Sequence, residues 1–308
     1  MQKIIRIGTR ESQLAVWQAN EVKRLLKEEG FEAELVYIKS EGDIDLKTPL
    51  YEMGVQGVFT RSLDSALLNN RIDIAVHSMK DVPTLLPVGL IQSAVLTRAS
   101  QKDLFVYKSN TNFLNDFESS AVIATSSIRR KSQWLNRYPY HIIENIRGNV
   151  NTRLQKLNEQ NWEGAIFAAA GLERIGIRPE NSLDLNWMLP APAQGAIMVV
   201  SRDDDHFVLE ATATINNPST ASCTKIERDF LRTLQGGCST PISAFAEIKN
   251  EDVYFKGNIL SLNGKDKAEV EMIEPIELSI QDLGIRAAQK LLDNGGQAIA
   301  EKIRNTAK

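Results

Sequence analysis

The feature that most limits what this chain can fold into is an alternation. IIRIG is followed by ESQLAVWQANEVKRLLKEEG and then by AELVYI: an apolar run of strand length, an amphipathic stretch of helix length, and a second strand. In the helix, Leu14, Trp17, Val22 and Leu25 are expected on the buried face, with Ser12 as amino-terminal cap and Gly30 as stop. After the Gly- and charge-rich stretch KSEGDIDLKTPLYEMGVQG come the helix VFTRSLDSALLNN and the buried strand DIAVH. The same grammar returns in AVIAT with SIRRKSQWLNR, in HIIEN with NVNTRLQKLNEQ and in GAIFAAAG with GLERIG, before GAIMVVS. Strands separated by helices build largely parallel sheets, so the reading is α/β, with ligands at the carboxyl ends of strands.

At 308 residues the chain has room for two or three domains. RASQKDLF marks a crossing between two units and GAIMVVSRDDD the return, so the first domain is expected to be discontinuous, over 1–97 and 198–217, with the second at 98–197. Beyond NNPSTAS the character changes to a helix CTKIERDFLRTL, antiparallel-looking strands AFAEI, VYFKGNIL and KAEVEMI, and a last helix DLGIRAAQKLLDNG. That is a small third α/β domain, at 218–308.

Several function classes fall away. The start MQKIIRIGTR has no apolar region of signal-peptide length, and no stretch approaches a membrane span, so a cytoplasmic protein with no membrane partner is expected. Its two cysteines, Cys223 and Cys238, are then reduced thiols. His77, His141 and His206 are scattered, which offers no metal site. A formal net charge of −3 argues against nucleic acid.

The informative charge is local. DIAVHSMKDVP ends in Lys80 and Asp81; ATSSIRRK offers Ser126 and Ser127 at a helix amino terminus with Arg129 and Arg130 just inside it. NIRGNVNTR carries Arg147 and Arg153, AAAGLERIG carries Arg174, and IGTRES carries Arg10 and Ser12. An isolated arginine on a helix is ordinary solvated charge. A set that follows five strand ends points to a ligand with several carboxylates or phosphates, which the guanidinium fork grips in bidentate fashion. Asp81 is the exception among these cations: it is a salt-bridge partner, or it serves a ligand with N–H groups and a positively charged stage.

LQGGCSTPIS places Cys238 between two glycines and a proline, on a loop. Together with ERDFL before it, and with HSMKDVP, TSSIRR and RGNVNTRL in matching order, this stretch resembles the porphobilinogen deaminase (hydroxymethylbilane synthase) family along essentially the whole chain. The resemblance implies two domains like those of periplasmic binding proteins and a third that presents the cysteine. It implies a transferase of tetrapyrrole (haem) biosynthesis, expected as a monomer, which condenses four porphobilinogen molecules with loss of ammonia into 1-hydroxymethylbilane. A dipyrromethane cofactor would be held by Cys238 through a thioether, and Asp81 would stabilise the cationic pyrroles and assist proton movement. Arg10, Ser12, Lys80, Ser126, Ser127, Arg129, Arg130, Arg147, Arg153, Arg174 and Gln194 would bind the substrate and cofactor.

The chain departs from the family pattern at YEMGVQG, with Glu52 and Gln56, at Arg61, and at Ala193, where glycine is usual. Two other classes compete: a solute-binding protein, which lacks a use for the GGC loop, and a cysteine hydrolase, which needs a base beside the thiol.

Overall fold

The structure is a computed structural model, described here for residues 3–39, 60–116, 118–237 and 240–306. YEMGVQG, with Glu52 and Gln56, lies outside the described residues, as does Cys238; Arg61 opens a helix. The described chain forms two units, one from residues 3–39, 60–99 and 195–221, the other from 100–194 and 222–306.

The chain begins with β1 (Ile5–Thr9), α1 (Gln13–Glu28), β2 (Ala33–Tyr37), α2 (Arg61–Leu68), β3 (Ile74–Ser78) and β4 (Leu90–Val95). It enters the second unit with β5 (Asp103–Tyr107), β6 (Val122–Ala124), α3 (Ile128–Arg137), β7 (Ile142–Glu144), α4 (Val150–Glu159), β8 (Gly164–Ala168), α5 (Ala169–Glu173) and β9 (Ser182–Asp184). It returns to the first with β10 (Ile197–Arg202) and α6 (His206–Thr214). The remainder is α7 (Pro218–Thr233), β11 (Ile242–Lys249), β12 (Asp252–Leu260), β13 (Lys267–Pro275), α8 (Ile276–Leu291) and α9 (Gln297–Thr306).

The first sheet has the order β2-β1-β3-β10-β4 and the second β7-β6-β8-β5-β9. Each contains a parallel trio and one antiparallel strand inserted beside it, β10 against β3 and β5 against β8. The outer strand beyond it, β4 or β9, runs with the trio, so each sheet is largely parallel, with one reversed strand from a chain segment that arrives from the other direction. The period of two is plain in β5: Leu104 and Val106 join a core with Leu157 of α4, while Phe105 joins Trp134 of α3 on the opposite face. Both faces are buried, which explains the unbroken apolar run LFV.

On the first sheet, Ile5, Ile7, Ile74, Val76 and Val199 pack against Ala19, Val22 and Leu26 of α1. Of the expected face of α1, Val22 is buried and Leu25 packs against this core, whereas Trp17 is 37% exposed and Gln18, Ala19 and Leu26 are buried beside Val22.

The third sheet, β11-β12-β13, is wholly antiparallel and has its own core of Phe230, Phe255, Ala244, Val270 and Leu283. α7 starts at Pro218, not at Cys223, with the Asn217 side chain accepting the Thr220 N–H at 2.8 Å. Cys223 therefore lies inside the helix and is buried. At Gly284 a methyl group would collide with the Ile226 carbonyl, so glycine lets α8 approach α7 closely.

Candidate active site

β1 and β3 are parallel neighbours, so the residues after them gather at one edge of the first sheet: Arg10 and Ser12 from one, Lys80 and Asp81 from the other. Ser12 caps α1, its hydroxyl accepting the Ala15 N–H at 3.4 Å. Gln18 donates to the Ser78 hydroxyl at 2.9 Å, which ties α1 to the end of β3.

Beyond Ser78 the chain makes a single tight turn, Met79–Asp81. The Met79 N–H donates to the Ala196 carbonyl at 3.1 Å and the Val82 N–H to the Met79 carbonyl at 3.1 Å. Met79 and Val82 are buried, while Lys80 and Asp81 between them are half-exposed. Apolar anchors and backbone bonds thus fix the turn without help from Asp81, whose carboxylate has no hydrogen bond or ion pair among the described residues.

His77 is buried two residues earlier, and its Nε2 has no hydrogen-bond partner among the described residues. Burial, reinforced by the positive charge of Arg10, pulls its pKa down to about 4. The imidazole is neutral at physiological pH.

In the second unit, β7, β6 and β8 are parallel neighbours and present a second basic edge. Ser126 and Ser127 follow β6, Arg147 follows β7, and Arg174 closes α5 after β8. Ser127 caps α3, accepting the Arg130 N–H at 3.4 Å. Arg147 is buried; Arg153, on α4, donates from Nε to the Gly148 carbonyl at 2.8 Å.

The centre of this edge is a residue that the sequence reading passed over. Asp103, fully buried at the start of β5, pairs with Arg129 Nη2 at 2.8 Å and with Arg130 Nη2 at 2.7 Å. Arg130 Nε also donates to it at 2.9 Å, and Arg130 Nη1 donates to the Ile166 carbonyl at 3.0 Å. Gln194, 1% exposed, donates to Asp103 at 3.0 Å and to the Gln101 carbonyl at 2.7 Å. The resemblance implies ligand contacts for Arg129, Arg130 and Gln194; all three also make internal contacts here, Arg129 Nη1 donating to the Leu189 carbonyl at 2.8 Å. Two guanidiniums against one carboxylate leave one positive charge in excess in a buried place. Burial, opposed by Asp103 and aided by the like charge of Arg130, lowers the Arg129 pKa, yet a guanidinium remains charged. A ligand carboxylate would complete the charge balance.

Taken separately, the buried cations of the second unit suit carboxylate arms, and in the first unit the half-exposed Asp81 carboxylate, without a partner among the described residues, suits a pyrrole N–H. Among the described residues, no group of His, Cys, Asp or Glu side chains could hold a metal ion, and no helix is long and apolar enough to cross a membrane.

Arg129→Leu should leave a neutral Asp103–Arg130 pair, so the fold should stand. Binding of a carboxylate ligand should weaken by about 2 to 5 kcal/mol, measurable by titration with the ligand. Unchanged affinity would assign the excess charge no ligand.

Acid stability should fall in two stages. The His77 pKa is lowered from 6.5 to about 4, so its contribution is complete above pH 6.5 and is lost as pH falls toward 4, amounting to roughly 3 kcal/mol. The opposite ends of the same strands supply the second stage. Burial would raise the Asp73 pKa, but bonds from the Arg6 side chain and N–H, and from Arg202, hold it at about 2. Its stabilisation, about 2 kcal/mol, is complete above pH 4 and is lost as pH falls through 2. Urea midpoints measured against pH should show both declines, with His77→Gln flattening only the first.

Two family models match the chain: "Porphobilinogen deaminase, dipyromethane cofactor binding domain" over residues 5–210, and "Porphobilinogen deaminase, C-terminal domain" over residues 221–293. The porphobilinogen deaminase of Pelobacter propionicus is 40% identical over 303 residues, 97% of either chain. That of Chlorobium phaeobacteroides is 39% identical over 313 residues, 99% of this chain and 100% of the relative. Among solved structures, the methionine-binding protein MetQ aligns with 71% of this chain and 92% of its own at a TM-score of 0.44 and 11% identity.

Proposed function

The chain belongs to the porphobilinogen deaminase family, and from that premise we propose that it condenses four porphobilinogen molecules, releasing ammonia, into 1-hydroxymethylbilane. The observation that carries the reading is the buried excess of positive charge at Arg129, Arg130 and Asp103, and the Asp81 carboxylate of the first unit, which has no partner among the described residues, supports it. Porphobilinogen brings both complements, acetate and propionate arms for the cations and a pyrrole nitrogen for the carboxylate.

Arg129 and Arg130 with Arg147, Arg153, Arg174, Gln194 and the hydroxyls of Ser126 and Ser127 would hold acidic arms at the second sheet edge. Arg10, Ser12 and Lys80 would do so at the first. Loss of ammonia from porphobilinogen leaves a cationic pyrrole, and Asp81 would stabilise that charge and accept a proton from the ring. The dipyrromethane, when bound, supplies the pyrrole carbon from which the chain grows. Its attachment is assigned to Cys238. The division into domains 1–97 with 198–217, 98–197 and 218–308 is proposed as the working one, with the last carrying the cysteine. A small diffusible substrate requires neither membrane nor nucleic acid, and the enzyme is proposed to act in the cytoplasm as a monomer.

The test is incubation of purified protein with porphobilinogen, following ammonia and 1-hydroxymethylbilane together. Binding of porphobilinogen without either product would instead identify a solute-binding protein.

A further inference from the structure

Glu227 is wholly buried on α7, and its two oxygens accept backbone N–H groups from separate segments: Oε2 from Ala193 at 2.6 Å and Oε1 from Ala246 of β11 at 2.8 Å. Ala193 has a φ of +61°, the left-handed region, and the Gln194 N–H closes the turn onto the Ala191 carbonyl at 2.9 Å. With Pro192 before it, this is a type II turn, whose third position favours glycine. The carboxylate therefore holds a turn that alanine adopts reluctantly.

The next residue, Gln194, bonds Asp103, and Asp103 holds Arg129 and Arg130. On the other side, α7 and β11 are the elements that flank Cys238 in sequence. We infer that Glu227 is a positioning residue that joins the elements on either side of the cysteine to the arginine pair through the strained turn at Ala193. The inference rests on the reading above for what is being positioned. Two further bonds follow the same seam, from the Gln133 amide to the Ser243 hydroxyl at 2.9 Å and from the Ala244 N–H to the Pro190 carbonyl at 3.3 Å. They keep β11 beside the Leu189–Ala193 segment, so loss of the carboxylate should loosen the turn without detaching the sheet.

Glu227→Gln retains size but offers an N–H₂ to one of the two N–H groups, so one bond becomes a repulsion. The variant should show faster amide exchange at Ala193. The fraction of chains carrying the dipyrromethane, read by intact mass, and the turnover of the loaded fraction should together fall on the order of 10- to 100-fold. Ala193→Gly relaxes the turn and should recover about fivefold of that loss in the Glu227→Gln background, with a smaller change in the parent chain.

Equal effects of Ala193→Gly in the two backgrounds would overturn the inference, as would unaltered exchange at Ala193 in Glu227→Gln. If Glu227→Gln does not fold, Glu227→Asp, one methylene shorter with the charge kept, carries the same comparison. A parent chain that neither carries the adduct nor consumes porphobilinogen would refute the proposed reaction alone, because amide exchange still decides the role of Glu227 in the turn.

Discussion

Cys238→Ser is expected to fold, to have the mass of the bare chain, and to make no 1-hydroxymethylbilane. The parent chain, purified from a host that makes porphobilinogen, should be heavier by two deaminated porphobilinogen units. A serine hydroxyl is a far weaker nucleophile than a thiolate at neutral pH, so the substitution should abolish attachment rather than slow it. The structure supplies the control. Cys223, the other cysteine, lies within α7 in the core that contains Ile226 and Phe230, where a thiol is an inert small hydrophobe. Cys223→Ala should therefore keep the adduct, at some cost in stability. An adduct that disappears with Cys223 and persists without Cys238 would reverse the assignment.

Asp81→Ala should retain the fold and lose about 10² to 10⁴ in turnover, the usual effect of removing a positioned acid–base group. Retention of the fold follows from the turn itself. Met79 and Val82 are its buried anchors, the Ala196 carbonyl holds its backbone, and the carboxylate of Asp81 makes no bond that the fold would miss among the described residues. Asp81→Glu keeps the charge but moves it by a methylene, so its rate should fall between the two. Variants must be compared at equal cofactor content, because failed assembly would otherwise pass for failed chemistry. Wild-type consumption of porphobilinogen by cofactor-loaded Asp81→Ala would remove the carboxylate from the mechanism.

Which parts of this were legible beforehand depends on the range of the interaction. Strands and helices such as DIAVH and NVNTRLQKLNEQ were readable because their periodicity is a local property of the chain, expressed over a few residues. The basic residues at strand ends were readable for the same reason: each directly follows an apolar run. The family resemblance needed only short stretches in order, LQGGCSTPIS, HSMKDVP and TSSIRR. The buried face of α1 was readable in part: Val22 is buried and Leu25 packs against the core as expected, but that Ala19 and Leu26 are buried while Trp17 is exposed is decided by the sheet beneath. The antiparallel strands β5 and β10 were hidden because their partners lie far along the chain. Asp103 was passed over at the edge of an apparent crossing, as its meaning comes from Arg129, Arg130 and Gln194, which only the strand register brings to it. The residues proposed to carry the chemistry thus announce themselves by type and local position. The carboxylates that aim them, Asp103 and Glu227, become visible only when folding buries a charge and its partners are supplied from elsewhere in the chain.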